Sequence, residues 1–354
     1  MSSNPSRLAV LGWRACHSQQ VAAEELSALL PVRVTSVHRD RLDVRGEEGE
    51  LSIRAPTVDA NLSESIAVGD WLLIDRATAR FERRLEPFSC LRRIAAGIEA
   101  RRQLIASNVD TLFIAMSCND DFNLSRLERY LAIAHQAAVT PVVVLTKADV
   151  CDELTRRIAD AQAVAPLAAV VAIDARDRVS AQSLMAWLDP GQTVAVVGSS
   201  GVGKSTLMNT LLGFERQVTA AIREDDAKGR HTTTARQLVG MPSGAWLVDT
   251  PGMRELRIGD ASIGVQATFE DIEQLAAQCK FRDCRHQAEA GCAVTAAARE
   301  GKLDMRRLEN YRKLQREAAH ANATLAERRE RERRFGRMRH EMEKVRKKTR
   351  MPRS

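Results

Sequence analysis

Gly198-Ser-Ser-Gly-Val-Gly-Lys-Ser205 has the spacing G-x-x-x-x-G-K-[ST], the pattern of a loop that wraps phosphate. Its glycines permit a tight path. The backbone N–H groups of Gly198, Ser199, Ser200, Gly201, Val202 and Gly203 can then turn inward on a β-phosphate. Lys204 is expected to neutralise the β- and γ-oxygens, which gives it a catalytic as well as a binding role. Ser205 is expected to bind Mg²⁺ through its hydroxyl, and Thr206 to carry the contact into the following helix.

Asp249-Thr-Pro-Gly252 stands 51 residues after Gly198. An aspartate there can hold Mg²⁺ through water, and the Gly252 N–H can meet a γ-phosphate and sense its loss. Alone, D-x-x-G is usually a turn; its place at the end of an apolar run joins it to the phosphate loop. Thr146-Lys-Ala-Asp149 directly follows another apolar run, ending at Leu145. A buried carboxylate at Asp149 would accept hydrogen bonds from guanine N1–H and N2–H₂. Adenine has no matching donors, so guanine is the expected base. Lys147 can lie along the base plane, and a backbone N–H near Ala175 could meet guanine O6.

Cys279, Cys284, His286 and Cys292 place three thiols and an imidazole within fourteen residues. A Cys₃His set is a closed tetrahedral donor group, the kind that holds structural rather than catalytic Zn²⁺. Cys16, Cys90, Cys118 and Cys151 are scattered singly, which does not suggest a secreted disulfide framework.

The elements that must position these groups alternate. Apolar runs at 109–116, 140–145, 168–173, 193–197 and 244–249 read as strands. Helical spacing appears near 125–136, 152–163 and 181–187, and after the phosphate loop at 206–213. Alternating strands and helices predict a parallel sheet covered on both faces, placed at 105–260. Before it, 31–100 carries short alternating strands with polar turns, including Val32–His38 and Gly69–Asp75, and no long helix. That texture predicts a small all-β barrel, of OB type first, with an SH3-like barrel giving the same pattern. Residues 1–30 form an N-terminal segment with a short helical pattern near Val21–Leu30. Helical spacing resumes at 265–320 around the Cys/His cluster, and 321–354 is a charged helical or disordered tail.

The chain has 354 residues, 44% apolar and 4% aromatic, with no apolar run of membrane-spanning length, so neither a lipid-facing nor a fibrous class is expected. The first thirty residues lack the pattern of a secretory signal, which makes the cytoplasm the expected location and a membrane an unexpected partner. The net charge of +7 is uneven: residues 301–354 carry 19 Lys/Arg against 8 Asp/Glu, so the preceding body is mildly acidic. A basic tail of this kind suits a polyanionic partner. Arg33, Arg41, Arg45 and Arg54 give the barrel a basic character, whereas Trp71 reads as core.

Nucleotide hydrolases of the common kind run phosphate loop, switch, D-x-x-G, then N-K-x-D. Here T-K-x-D comes first. The set resembles the circularly permuted GTPases and, with a barrel before and a Cys₃His cluster after, the RsgA (YjeQ) family of ribosome small-subunit-dependent GTPases over about residues 30–320. The resemblance implies a multidomain chain with an OB-like barrel, a permuted α/β GTPase domain and an α-helical zinc domain. It also implies binding of GTP and GDP, contact with the small ribosomal subunit and its rRNA, and subunit-stimulated hydrolysis in late maturation.

Lys228-Gly-Arg-His-Thr-Thr-Thr-Ala235 is similar to that family's first switch. Thr232 or Thr233 would meet the nucleotide, with Thr233 the expected Mg²⁺ ligand. Met253 follows Gly252 where a water-orienting glutamine stands in Ras-like enzymes, so intrinsic turnover is expected to be slow. His231 is the residue expected to orient water once the ribosome orders the switch. Thr146, in place of asparagine, is expected to lose an amide that ties loops together. The rival readings are a nucleotide-gated RNA-binding module with little turnover and an ATPase. A monomer is the default oligomeric state.

Overall fold

The computed structural model describes residues 7–56, 66–94, 102–119, 121–213, 236–249, 261–287 and 289–322. After short helical turns at Ala9–Leu11, Ala15–Ser18 and Glu25–Ala28 come five strands: β1 (Leu29–Val37), β2 (Arg41–Gly46), β3 (Gly49–Arg54), β4 (Trp71–Asp75) and β5 (Phe81–Arg84). They pair antiparallel in the order 3-2-1-4-5, the strand order of a partly open OB-like barrel. Alternation along them sends Val32, Val34, Leu42, Val44, Ile53, Leu72 and Ile74 into one small core. Trp71 is fully buried, as its apolar setting predicts.

Next come β6 (Cys90–Ile94) and β7 (Arg102–Ser107), which pair antiparallel with each other, while Ala106 of β7 also makes an isolated bridge to Val68. This hairpin spans the interval 100–105, where composition suggests a boundary. The ladder fixes its register from Cys90↔Ser107 to Ile94↔Arg102, and periodicity in either short run does not reveal a partner so near.

The α/β part comprises β8 (Thr111–Ser117), α1 (Leu124–Gln136), β9 (Thr140–Thr146), α2 (Leu154–Val164), β10 (Ala169–Ala172), β11 (Thr193–Val197), α3 (Lys204–Leu212), β12 (Arg236–Gly240) and β13 (Trp246–Asp249). Strands 10-9-8-11-13 are parallel, and β12 runs antiparallel at the end of the set. Every residue of β8 and β11 is buried, the mark of strands covered on both faces. Leu112, Ile114, Met116, Val143 and Leu145 pack with Leu127 of α1 and Ala161 of α2. Their neighbours Phe113, Ala115, Val142 and Val144 point the other way, against Leu207 and Leu212 of α3. The period-two alternation thus loads both faces with helices, as expected. The helical pattern near 181–187 becomes one α-turn, Arg178–Ala181, followed by a 3₁₀ stretch, Gln182–Trp187.

The barrel and the α/β sheet are not separate sheets. β12 pairs antiparallel with β1 through Ser36↔Gln237 and Val37↔Arg236, giving one eleven-stranded sheet among the described residues. A buried cation seals the junction. Arg33 donates from Nη1 to the Leu11 carbonyl at 2.6 Å, and from Nη2 to Thr193 Oγ1 at 2.7 Å and the Asn108 carbonyl at 3.2 Å. Arg33 is 1% exposed, so it joins elements of the fold and adds nothing to a basic barrel surface.

The C-terminal lobe consists of α4 (Ser262–Thr268), α5 (Glu270–Ala276), α6 (Ala293–Arg299) and α7 (Met305–Asn322). α4 crosses α1 so closely that a Cβ on Gly264 would lie 1.9 Å from the Ala132 carbonyl oxygen; only glycine fits. α7 is tied to α1 through the fully buried Glu128 carboxylate. Arg306 meets it with two hydrogen bonds of 3.1 Å, Arg307 with one of 3.0 Å, and Asn310 also donates to it. Among the described residues no helix is long and apolar enough to cross a membrane.

Candidate nucleotide and zinc sites

The buried strand β11 delivers the phosphate loop at its C-terminal end, where open α/β sheets bind ligands. Gly198 has φ +147°, and a Cβ there would sit 2.3 Å from the Ala115 carbonyl oxygen, so the turn demands glycine. Ser199, Ser200, Gly201 and Val202 carry the loop to Gly203, the N-cap of α3. Lys204, Ser205 and Thr206 therefore form the first helical turn, whose N–H groups lack intrahelical acceptors and whose dipole favours an anion. The Lys204 ammonium rests on the Ser199 carbonyl.

Thr146 ends β9 and is fully buried. Its hydroxyl donates to the Val202 carbonyl in the phosphate loop at 2.6 Å, with the Met116 carbonyl at 3.2 Å. The tie between loops that threonine was expected to forfeit is thus present. A hydroxyl suffices because the two strands bring the backbones within its short reach. Lys147 follows in the left-handed region at φ +59°, and Asp149 lies in the 3₁₀ turn Ala148–Val150. After β10, the Ala175 carbonyl accepts from Thr210 Oγ1 of α3 at 2.7 Å. A Cβ on Gly203 would meet Thr146 Cβ at 3.8 Å and Ala175 Cβ at 3.9 Å, so three loops converge on one point.

One expectation changes here. Asp149 is not buried: its side chain is 29% exposed, and Oδ2 accepts from Arg176 Nη2 at 2.7 Å. Arg176 is in turn gripped by Asp174 at 3.1 and 3.2 Å, and these bonds hold the Asp174 carboxyl below its ordinary range. The carboxylate that would read a base is engaged by a surface guanidinium. The chain contains this competitor only 27 residues away, but no motif marks it.

Asp249 ends β13, which runs parallel beside β11 with Ala195↔Val248 as the last paired residues. It therefore stands level with Val196, two residues before the phosphate loop. His231, Thr232, Thr233 and Gly252 lie outside the described residues, as does the tail beyond residue 322.

Cys279, Cys284, His286 and Cys292 offer donor atoms that all lie within 4.8 Å of one another. Cys279 Sγ is 3.8 Å from Cys292 Sγ, and His286 Nδ1 is 3.6 Å from each of those two sulfurs. A tetrahedral ion with Zn–S near ~2.3 Å and Zn–N near ~2.0 Å separates sulfurs by ~3.8 Å and sulfur from nitrogen by ~3.5 Å. The donor set fits zinc. Burial opposes ionisation of the Cys292 thiol, but the Thr295 hydroxyl and amide, His286 and Cys284 bring it down to about 6. Glu289 shapes the knuckle, accepting from the amides of Arg285 at 2.9 Å and Gln287 at 2.7 Å. The Tyr311 ring of α7 lies 6.3 Å from that of His286, tilted by 39°, and its hydroxyl donates to Glu273 at 2.8 Å, joining the knuckle to α5.

The profile of the RsgA GTPase family matches residues 86–259. An ABC transporter profile matches 182–351, which takes in the phosphate loop but not Thr146–Asp149. The small ribosomal subunit biogenesis GTPase RsgA 2 of Vibrio vulnificus is 49% identical over 337 residues, 95% of each chain. The small ribosomal subunit biogenesis GTPase RsgA of Mesorhizobium japonicum is 47% identical over 90% of this chain and 92% of its own. Among solved structures, YjeQ from Thermotoga maritima has the same fold with a TM-score of 0.61. It shares 24% identity and covers 82% of this chain and 99% of its own. YloQ, a circularly permuted GTPase, matches at a TM-score of 0.60 and 20% identity over 86% of this chain and all of its own. With a T-K-x-D loop that precedes the phosphate loop in sequence yet is bonded to it in space, and relatives near half identity along almost its whole length, this chain belongs to the RsgA family of GTPases.

Proposed function

We propose that the chain hydrolyses GTP to GDP and phosphate and acts in biogenesis of the small ribosomal subunit, late in maturation and under stimulation by that subunit. The observation that carries the reading is the 2.6 Å bond from Thr146 to Val202, which holds a guanine-type loop against a phosphate loop across the permuted order. In this reading Thr146, Lys147 and Asp149 form the base side. Gly198 to Thr206 receive the phosphates at the positive end of α3. Asp149 must leave Arg176 to read guanine.

Ser205 and Thr233 would hold Mg²⁺ directly and Asp249 through water; when bound, the ion supplies charge neutralisation at the β- and γ-oxygens. Lys204 adds a second positive charge, Thr232 and Gly252 contact the γ-phosphate side, and His231 orients water. Cys279, Cys284, His286 and Cys292 hold one structural Zn²⁺. The division into a segment 1–30, a barrel 31–100, a GTPase domain 105–260, a zinc domain 265–320 and a basic tail 321–354 belongs to the same proposal. So do rRNA contact, a monomeric state and a cytoplasmic location.

Steady-state GTP turnover with and without purified small subunits tests the reading. Slow intrinsic turnover, acceleration by subunits and no competition from ATP are expected. Unchanged turnover at saturating GTP, with ATP competing equally, would overturn it. Under the same conditions His231→Ala should lose subunit-stimulated turnover while keeping nucleotide affinity.

A further inference from the structure

The phosphate loop is held by a residue that no nucleotide-binding motif contains. Arg126, in the first turn of α1, directs Nη1 onto Ser199 Oγ. Its backbone is fixed, because its N–H is capped by Asn123 Oδ1 at 2.9 Å. Its side chain is aimed by Asp121, whose two carboxylate oxygens each lie 2.9 Å from the same nitrogen. Two residues further on, Glu128 anchors α1 to Arg306, Arg307 and Asn310 of α7. The helix that presents Arg126 is therefore itself clamped.

Ser199 is the point at which two cations meet. Lys204 takes its carbonyl and Arg126 its hydroxyl. The stretch Ser199-Ser200 is bounded by Gly198 and Gly201, both in backbone conformations that side chains rarely adopt. Glycines allow that path without enforcing it, so the direction of the intervening N–H groups needs an external restraint. Lys204 cannot supply it unaided, since its role with nucleotide is to engage the phosphate oxygens. We infer that Arg126 is a positioning residue for nucleotide binding: through Ser199 it fixes the turn of the phosphate loop that must face the phosphates. The inference rests on the GTPase reading and deepens it.

The effect should be moderate, because the Arg126 side chain is 32% exposed and Asp121 offsets part of its charge. Charge-assisted hydrogen bonds of this kind give Arg126→Ala an expected loss of about five- to twentyfold in affinity for both mant-GDP and mant-GTPγS. Turnover at saturating GTP should change less than about twofold, because an interaction present equally in ground and transition states moves KM and not kcat. Arg126→Lys should fall between, since an ammonium keeps the charge but its shorter stem ends before the position from which Nη1 reaches both Asp121 and Ser199. In an Arg126→Ala background, Ser199→Ala should add almost nothing to the loss.

A purely structural role would lower the unfolding temperature without this non-additive loss of affinity. The inference is overturned by affinities within twofold of the parent in Arg126→Ala, or by losses from Arg126→Ala and Ser199→Ala that simply add. Lys204→Ala is the separate control. Binding and turnover should both be lost there; if both are retained, the phosphate loop is not the nucleotide site. Absence of GTP turnover by the parent chain would remove the GTPase reading itself, whatever Arg126 does.

Discussion

The Thr146 hydroxyl donates 2.6 Å to the Val202 carbonyl, and this one bond joins two motifs that lie 52 positions apart counting from Thr146 to Gly198. Both residues are buried, so the carbonyl has little access to water when the hydroxyl is removed. Thr146→Val keeps the shape and deletes the donor. It should cost about 1–2 kcal/mol of stability and lower affinity for GTP and GDP together. Thr146→Ser, which keeps the hydroxyl, should lose less of each. Denaturant unfolding and nucleotide titration on the two variants decide the matter; equal behaviour of Val and Ser would remove the tie from the account.

On the proposed GTPase reading, Arg176 and guanine compete for the same Asp149 carboxylate. Asp149→Asn replaces an acceptor by a group that also donates, which mismatches guanine N1–H and N2–H₂ but suits the C2 carbonyl of xanthine. Affinity for GTP should fall about a hundredfold or more while XTP gains. Arg176→Ala frees the carboxylate, and guanine-nucleotide affinity should rise by no more than a few-fold, since the pair is largely exposed. Competition binding with GTP, XTP and ATP reads both effects. A fall in GTP affinity in Arg176→Ala would mean that Arg176 itself supports the nucleotide.

Much of this arrangement is legible in the residues alone. The phosphate loop, the T-K-x-D loop and the Cys₃His knuckle announce themselves because their chemistry fixes residue types at short spacings. The five parallel strands announce themselves by continuous apolar runs. What pairs over long distances leaves no such trace. The β1–β12 junction joins Ser36 to Gln237, and nothing in either segment names the other. Arg33 looks like surface charge, since a lone arginine in an alternating strand carries no sign of the Leu11, Asn108 and Thr193 oxygens that surround it. Arg126 and Arg176 are missed for the same reason. Their partners are set by the sheet, not by sequence spacing.

The donor geometry at Cys279, Cys284, His286 and Cys292 predicts one zinc ion per chain. A strong chelator should extract it, and amides of residues 279–303 should then exchange with solvent before those of β8 and β11. Cys284→Ser should reduce metal content measured by elemental analysis. Full hydrogen-exchange protection of the knuckle after metal removal would contradict a structural role.

His17 gives the junction between N-terminal segment, barrel and α/β sheet a pH dependence. Nδ1 accepts from the Arg14 backbone N–H at 3.1 Å and Nε2 faces Asn108 Oδ1 at 3.1 Å, so the neutral ring is the one that fits. Burial, with Arg33 and Arg14 nearby, lowers its pKa below 6.5 despite the opposing bond to Asn108. Below about pH 6.5 the unfolded chain then binds more protons than the folded one, and stability falls until the folded ring also takes its proton. Half-buried His135, whose pKa desolvation also lowers, acts in the same sense. The unfolding temperature should therefore drop between pH 7.5 and 5.5, and His17→Gln should show a shallower drop. A parallel pH profile in that variant would assign the dependence to other groups.

Glu128 holds the C-terminal lobe to the α/β sheet, and its removal should separate the stability of the two. The carboxylate is fully buried, while the side chains of Arg306 and Arg307 are 34% and 14% exposed. Glu128→Ala removes the buried acceptor the two cations share, leaving Arg306 with Asp304 and Arg307 with Asp271, and opens space beneath α7. The penalty for breaking a fully buried pair is lessened here because Arg306 can turn toward water. A loss of about 2–4 kcal/mol is expected. Glu128→Gln preserves the volume and one acceptor oxygen, so its loss should be smaller. The sheet retains its two apolar faces in both variants, whereas α7 loses its main polar attachment to α1. Hydrogen exchange should therefore rise first in α7 and the zinc knuckle, with β8, β9 and β11 still protected. Uniform deprotection of strands and α7 together would show that the lobe and the sheet unfold as one unit, and that Glu128 is not the seam between them.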